Sequence, residues 1–297
     1  MDKLEILWTP QGTNLPSLGA RSLTDISDGD TPNIRMPIRM LSIDTPETTA
    51  RSDNGAAKID AQFQQLADWI QTGQAPVSDS FAHYILPKLA DIDAGTLQFR
   101  QGKQAGEHYQ QLIDQRLTKP SGSKRKLFVR SPEPPFDGYG RLLAYVSPSY
   151  STREIATLSR TQRATFNLNM VESGWAAPFI LFPNIPGELD LPLFVEQALA
   201  AKNASRGQYQ QPLSMPGYEY RMCEKLYSIT KKLVNGERLS EARRHSWRSR
   251  YCADMRDRRL YGPTEYMQIP EPYRLWIWPV DLQLSISRLN LIPLSGG

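Results

Sequence analysis

Apolar residues at Ile59, Phe63, Leu66 and Ile70 recur at helical spacing and predict an amphipathic helix that Thr72-Gly73 stops. A second apolar run, Phe81 to Leu86, ends at Pro87. Tyr109, Leu112, Ile113 and Leu117 share one face of a predicted helix over 107–117. Phe166 and Met170 do the same over 161–173, with Gly174 as the C-cap. A further helix is predicted over 190–205, with Asp190 as its cap, Pro192 in its first turn, and Phe194, Ala198 and Ala201 facing inward. Short extended runs at 22–26, 37–43, 126–130 and 141–146 lie between turn residues and read as strands. Helices and strands in this mixture predict an α+β chain.

The strand over 37–43 carries the candidate chemistry. It holds Arg39 and runs into Asp44-Thr45-Pro46-Glu47, where the proline ends any sheet ladder. The Asp44 and Glu47 carboxylates and the Thr45 carbonyl are then free to turn toward one point, and hard oxygens so placed suit Ca²⁺ or Mg²⁺. Five residues separate Arg39 from Asp44, roughly 16 Å along a flat strand and on opposite faces. The two serve one phosphate only if the strand curls, as it does in a small barrel with a bulge. Upstream, Asp28-Gly29-Asp30-Thr31 supplies another acidic turn. Downstream, Asp137-Gly138-Tyr139-Gly140-Arg141 supplies a second arginine. Acids around a hard cation, with two guanidinium forks, are the inventory for metal-assisted attack on a phosphodiester.

Four pieces occur in order: Asp28 to Thr31, Arg39 to Thr48, Tyr139 to Tyr145, and Asn167 to Ala176. Their pattern, D-G-D-T, R-x-x-x-x-D-T-P-E-T, Y-G-R-x-L-A-Y and N-x-x-x-V-x-x-G-x-A, resembles the staphylococcal nuclease (thermonuclease) family over roughly residues 20–207. The resemblance implies a five-stranded OB-fold β-barrel with packed helices. It implies one Ca²⁺ ion, with Asp30, Asp44 and the Thr45 carbonyl as ligands. Arg39 and Arg141 match the phosphate-binding arginines, and Glu47 the acid that holds or deprotonates the attacking water. Asp28 matches an outer partner of the ligands, and Tyr139 a substrate-side tyrosine. Where the family places tyrosines after G-x-A, this chain has Phe179 and Phe182, which keep stacking and lose the hydroxyls. The implied activity is hydrolysis of DNA or RNA, single strands favoured, leaving 3′-phosphate products. A non-catalytic nucleic-acid-binding or scaffold module is the other reading, and the full set of acids and arginines favours catalysis.

Domain organisation follows from the same motifs. Residues 1–19 are read as an extra segment, with an edge strand expected over Leu4 to Trp8, and 20–209 as the nuclease-like domain. Residues 49–99 are a helical insertion between the acids and Arg141, placed to limit access by duplexes. The linker from Gln210 to Gly217 opens a basic and aromatic extension over 210–297. In that extension a basic helix is read over 240–259, while Leu282, Leu284 and Ile286 fit a strand or a short helix.

Composition changes this picture in two places. The net charge is +4 with a pI near 9.0, which fits a polyanionic partner. Residues 238–259 hold eight arginines against three acids, so the basic surplus lies there and offers further nucleic-acid contacts. Cys223 and Cys252 imply no disulfide framework and leave only a single bridge open. His83, His108 and His245 are scattered without metal spacing. No signal peptide or transmembrane segment is expected, which makes a cytoplasmic location the default expectation.

Overall fold

The computed structural model describes residues 19–293; the edge strand expected over 4–8 lies outside them. Two strands, β1 (Leu23–Asp28) and β2 (Thr31–Ile34), form a hairpin whose turn is the first acidic motif. The next strand is split in two, β3 (Ile38–Met40) and β4 (Ser42–Asp44). Three helices follow: α1 (Asp53–Gln71), α2 (Asp79–Ala90) and α3 (Ala94–Leu117). Then come β5 (Leu127–Arg130), β6 (Leu142–Pro148), α4 (Thr152–Thr157), α5 (Phe166–Glu172), β7 (Ala177–Leu181) and α6 (Leu191–Asn203). The remaining elements are α7 (Gly217–Val234), α8 (Glu241–Arg244), β8 (Tyr251–Asp254), β9 (Arg259–Tyr261), β10 (Arg274–Ile277), α9 (Leu282–Leu289) and β11 (Ile292–Pro293).

The chain is α+β, and its described strands form three open sheets. One is the β1–β2 hairpin. A second has the order β3-β6-β5, with β3 parallel to β6 and β5 antiparallel to it. The third has the order β11-β9-β8-β10-β7-β4. A closed five-stranded barrel is therefore not what the described residues form. The hairpin pairs with neither other sheet, and Leu23, Ile26 and Ile34 on it and Phe128 on β5 stay exposed.

The strand carrying Arg39 does curl. It breaks at Leu41, and Ser42 has a φ of 62°, a left-handed conformation that a residue with a Cβ rarely takes. The break hands the chain from one sheet to another: β3 pairs with β6, and β4 pairs with β7 through Ser42–Phe179, Ile43–Pro178 and Asp44–Ala177. Asn167 of α5, fully buried, fixes the corner. Its amide donates to the carbonyls of Leu41 (2.8 Å) and Ala144 (3.2 Å), and its oxygen accepts from the Val146 N–H (3.0 Å).

The segment after residue 210 is woven into the molecule. β10 runs parallel to β7 and antiparallel to β8, so the third sheet contains strands from both halves. The largest apolar core joins Phe63 and Leu66 of α1 and Phe81 and Ile85 of α2 to Tyr218, Cys223 and Leu226 of α7 and to Trp276 of β10. The helical insertion thus buries its face against the C-terminal segment. A buried ion cluster pins the contact. Glu219 accepts from Lys88 Nζ (2.7 Å), Tyr84 Oη (2.6 Å) and Arg274 Nη1 (3.2 Å). Burial pushes the Glu219 carboxyl upward, but the Lys88 and Arg274 charges outweigh it and hold the group below its ordinary value.

Several element readings change. Pro87 lies inside α2 rather than ending it, one turn before the C-terminus. Asp190 sits at the N-cap of α6 without capping it, and pairs with Arg160 instead (2.5 Å). The basic run over 240–259 is one helical turn, α8, followed by β8. Leu282, Leu284 and Ile286 belong to a helix, α9. Cys223 and Cys252 are buried free thiols.

Candidate functional site

The kink at Leu41–Ser42 turns the Arg39 side chain back onto Asp44. Arg39 Nη2 donates to Asp44 Oδ1 at 2.7 Å, although the two are five residues apart. Asp44 is 1 % exposed, and Pro46 beside it is buried too. After the proline the backbone carries Glu47 onto the same side. Helix α3 supports this turn through Gly102, where an added Cβ would lie 2.9 Å from the carbonyl oxygens of both Pro46 and Glu47. Gln98, one turn earlier, presents its amide oxygen to the Glu47 N–H at 3.1 Å once that amide is oriented to satisfy both its neighbours. Both contacts fix Glu47 through its backbone and leave its carboxylate to other partners.

That partner comes from α7. Arg221 Nη2 donates to Asp44 Oδ1 (3.2 Å) and Oδ2 (3.0 Å), and its Nη1 donates to Glu47 Oε1. One guanidinium therefore bridges the two acids that the motif brings together. The start of α7 presses in behind it: a Cβ on Gly217 would lie 2.5 Å from the Thr45 carbonyl oxygen and 2.8 Å from Asp44 Oδ2. Glu224, one turn beyond Arg221, is pushed up from 4.5 to about 7, by burial first, then by the charge of Glu47, with Arg221 opposing. Arg250 lies over the rings of Phe179 (5.0 Å), Trp278 (5.1 Å) and Trp276 (5.6 Å). No hydrogen bond or ion pair holds it among the described residues.

Other expected members of the site lie apart. Asp28 and Asp30 sit on the exposed turn of the β1–β2 hairpin and bond one another: the Asp30 N–H donates to Asp28 Oδ1 at 3.4 Å. They do not join Asp44, because the hairpin has its own sheet. Arg141 is engaged by its own turn. Asp137 Oδ2 accepts from its Nε (2.8 Å), and Asp137 Oδ1 accepts from the Arg141 N–H (3.0 Å) and the Tyr139 N–H (2.9 Å). No described contact links Arg141 to Asp44 or Glu47. Tyr139 is 84 % exposed, with the Arg141 guanidinium 5.3 Å from its ring centroid. Phe179 and Phe182 are not. Phe182 is in the core, and Phe179 is stacked on Tyr218 (5.3 Å) with Arg250 over its ring, so neither presents a free face to a base.

The donors as arranged do not fit a Ca²⁺ ion. Both Asp44 oxygens are taken by guanidinium groups, the Thr45 carbonyl is covered by Gly217, and Asp30 is in the exposed turn of the separate β1–β2 hairpin. Among the described residues no group of three or more His, Cys, Asp or Glu side chains is placed to hold a metal. Six to eight oxygens is the usual Ca²⁺ demand.

No family model matches the chain, and no curated protein matches it either.

Arg221, Gly217, Glu224 and Arg250 escaped the sequence reading because they follow no motif. The stretch ending at Gly217 reads as a linker by composition, yet Gly217 is the first residue of α7. One signal was available there. Residues 217, 221 and 224 share a helical face that alternates a missing side chain with opposite charges, a pattern for close approach to an ionic site.

Proposed function

We propose that the chain is a phosphodiesterase of the thermonuclease type, acting on DNA or RNA with single strands favoured. One observation carries this reading: the kinked strand brings the Arg39 guanidinium to 2.7 Å from Asp44, with Glu47 on the same turn. A surface structure would have no need of a strained Ser42, a buried carboxylate and two glycines at close approach for so short a segment. The strands β1, β2, β3 with β4, β5 and β6 are assigned, on the same reading, to an OB-type barrel standing open at the hairpin.

In this reading Arg39 and Arg141 hold phosphoryl oxygens and stabilise the charge that grows on them. Glu47 orients or deprotonates water, and Tyr139 lies along the substrate. Dependence on Ca²⁺ is carried from the resemblance alone, since the Asp44 oxygens are engaged by Arg39 and Arg221. Cleavage of single-stranded DNA and RNA is therefore expected with Ca²⁺ and is expected to stop with EDTA. Activity untouched by chelation, or none with Ca²⁺ present, counts against it. Arg141→Ala should lower kcat/KM by at least about 10²-fold, the loss typical of one oxyanion-type donor.

The pairing of Asp44 and Glu47 with Arg221 favours a second reading, a nucleic-acid-binding or scaffold module whose acids are permanently neutralised. Binding that survives EDTA, without cleavage, would select it.

A further inference from the structure

A cleft of about 720 Å³ lies between β5 and β6 on one side and the turn over 160–163, the 183–187 loop and α6 on the other. Its size falls within the roughly 300–1,000 Å³ usual for ligand clefts. From β6 it takes Tyr145 and Ser147, which alternate with the core residues Ala144 and Val146 and so face away from that core. Leu168, Leu193 and Phe194 give it an apolar wall. Leu41 lines it as well, and the Tyr145 and Ser42 hydroxyls share a hydrogen bond of 2.6 Å. The kink that carries Arg39 and Asp44 is therefore part of its wall.

The charge of the cleft is one-sided. Arg130, Arg160 and Arg163 line it against a single acid, Asp190. Arg160 is paired with that acid. Arg130 and Arg163 are exposed, and no hydrogen bond, ion pair or ring contact engages either guanidinium among the described residues. Phe128 lines the same cleft, is 53 % exposed, and has no other ring or cation against it among the described residues. Tyr150, by contrast, has Arg125 over its ring (5.0 Å) and its hydroxyl bonded to Arg116 (3.0 Å). Phe128 and Arg130 are two residues apart on β5, so they share one face at roughly 7 Å. An open ring beside an open guanidinium is a place for a base beside a phosphate.

We propose that this cleft binds a short stretch of single-stranded nucleic acid, with backbone phosphates on Arg130 and Arg163 and a base against Phe128. Guanidinium forks match phosphate oxygens, and aromatic faces accept any base. An acidic peptide would use the arginines and leave the ring idle. A duplex keeps its base faces stacked on one another and has none to offer Phe128. The inference rests on the nucleic-acid partner of the phosphodiesterase reading, and not on cleavage. It adds to that reading a second contact region for the strand, away from Asp44 and Glu47.

Fluorescence anisotropy of a labelled thymidine tetranucleotide, titrated with the full-length chain in EDTA, tests this without any cleavage. The double variant Arg130→Gln/Arg163→Gln is expected to bind at least about fivefold more weakly, with its salt slope lower by about 1.4, from roughly 0.7 per phosphate contact. Phe128→Ala is expected to lose at least about fivefold in affinity with the salt slope unchanged. Wild-type affinity in either variant overturns the proposal. So does equal competition by a hexaglutamate peptide, which would mean that charge alone is recognised. The three side chains are exposed, so the variants should melt with the wild type. If Phe128→Ala does not, Phe128→Leu keeps the apolar bulk, removes the ring and carries the same expectation. Cleft-dependent binding without Ca²⁺-dependent cleavage supports the proposal and removes the phosphodiesterase reading. Cleavage with the wild-type KM in both variants does the reverse.

Discussion

Asp44 and Glu224 define what can be tested one residue at a time. Asp44 is buried and takes its partners from Arg39 and Arg221. Arg39→Ala leaves it short of one charged donor and should cost about 1–3 kcal/mol of stability. Arg141 makes its pair on a half-buried turn of its own, so Arg141→Ala should cost no more than about 1 kcal/mol while losing activity. Denaturant unfolding of both variants checks the contrast; equal destabilisation would contradict it. Glu224 is the residue that links this site to pH. Its folded value is raised from 4.5 to about 7, so the fold favours the protonated carboxyl. That contribution to stability is complete below 4.5 and is lost as pH rises to about 7. Glu224→Gln should therefore flatten the stability profile across that window, and a profile with the same slope as wild type would contradict the assignment. Arg39, Asp44 and Glu47 were readable in the sequence because their spacing states a geometric demand. Arg221 was not, because its partners lie more than 170 residues away along the chain and nothing local encodes them.

At the scale of elements, the kink between β3 and β4 decides the site. The spacing of Arg39 and Asp44 required a curled strand, and the curl is a break at Leu41 stapled by Asn167. Asn167→Ala would leave the Leu41 and Ala144 carbonyls and the Val146 N–H without this partner, and should cost at least about 2 kcal/mol. Thermal unfolding measures this, and a shift within error of wild type would mean that the corner holds itself. Helix periodicity over 59–70 and 107–117 was informative because one face of the first is buried in a core and one face of the second packs half-buried against another. Local signals misled where tertiary context took over. The three acids nearest the basic run pair with its arginines: Glu241 with Arg244, Asp254 with Arg256 and Asp257 with Arg259. Strand pairing of Tyr251–Asp254 with β9 and β10 then outweighs the helical pattern. Phe179 and Phe182 looked available for stacking because their burial depends on Tyr218 and β10, which lie far along the chain.

For the whole molecule, the segment after residue 210 supplies core, sheet and site together. Removing it would uncover Phe63, Leu66, Phe81 and Ile85 and strip β10 from β7. A chain ending at residue 210 should lose its cooperative unfolding transition altogether, as followed by near-ultraviolet circular dichroism. Deletion is thus a poor probe of nucleic-acid binding, and charge removal is the better one. Arg238, Arg243 and Arg258 are exposed and make no ion pair among the described residues. Replacing all three by Gln should reduce the salt slope of single-strand binding by about 2, from roughly 0.7 per phosphate contact. The direct test of the whole account is cleavage of a single-stranded oligonucleotide by the protein, with Ca²⁺ and with EDTA. Cleavage with Ca²⁺ that stops with EDTA is the predicted result. No cleavage at saturating Ca²⁺ would contradict it.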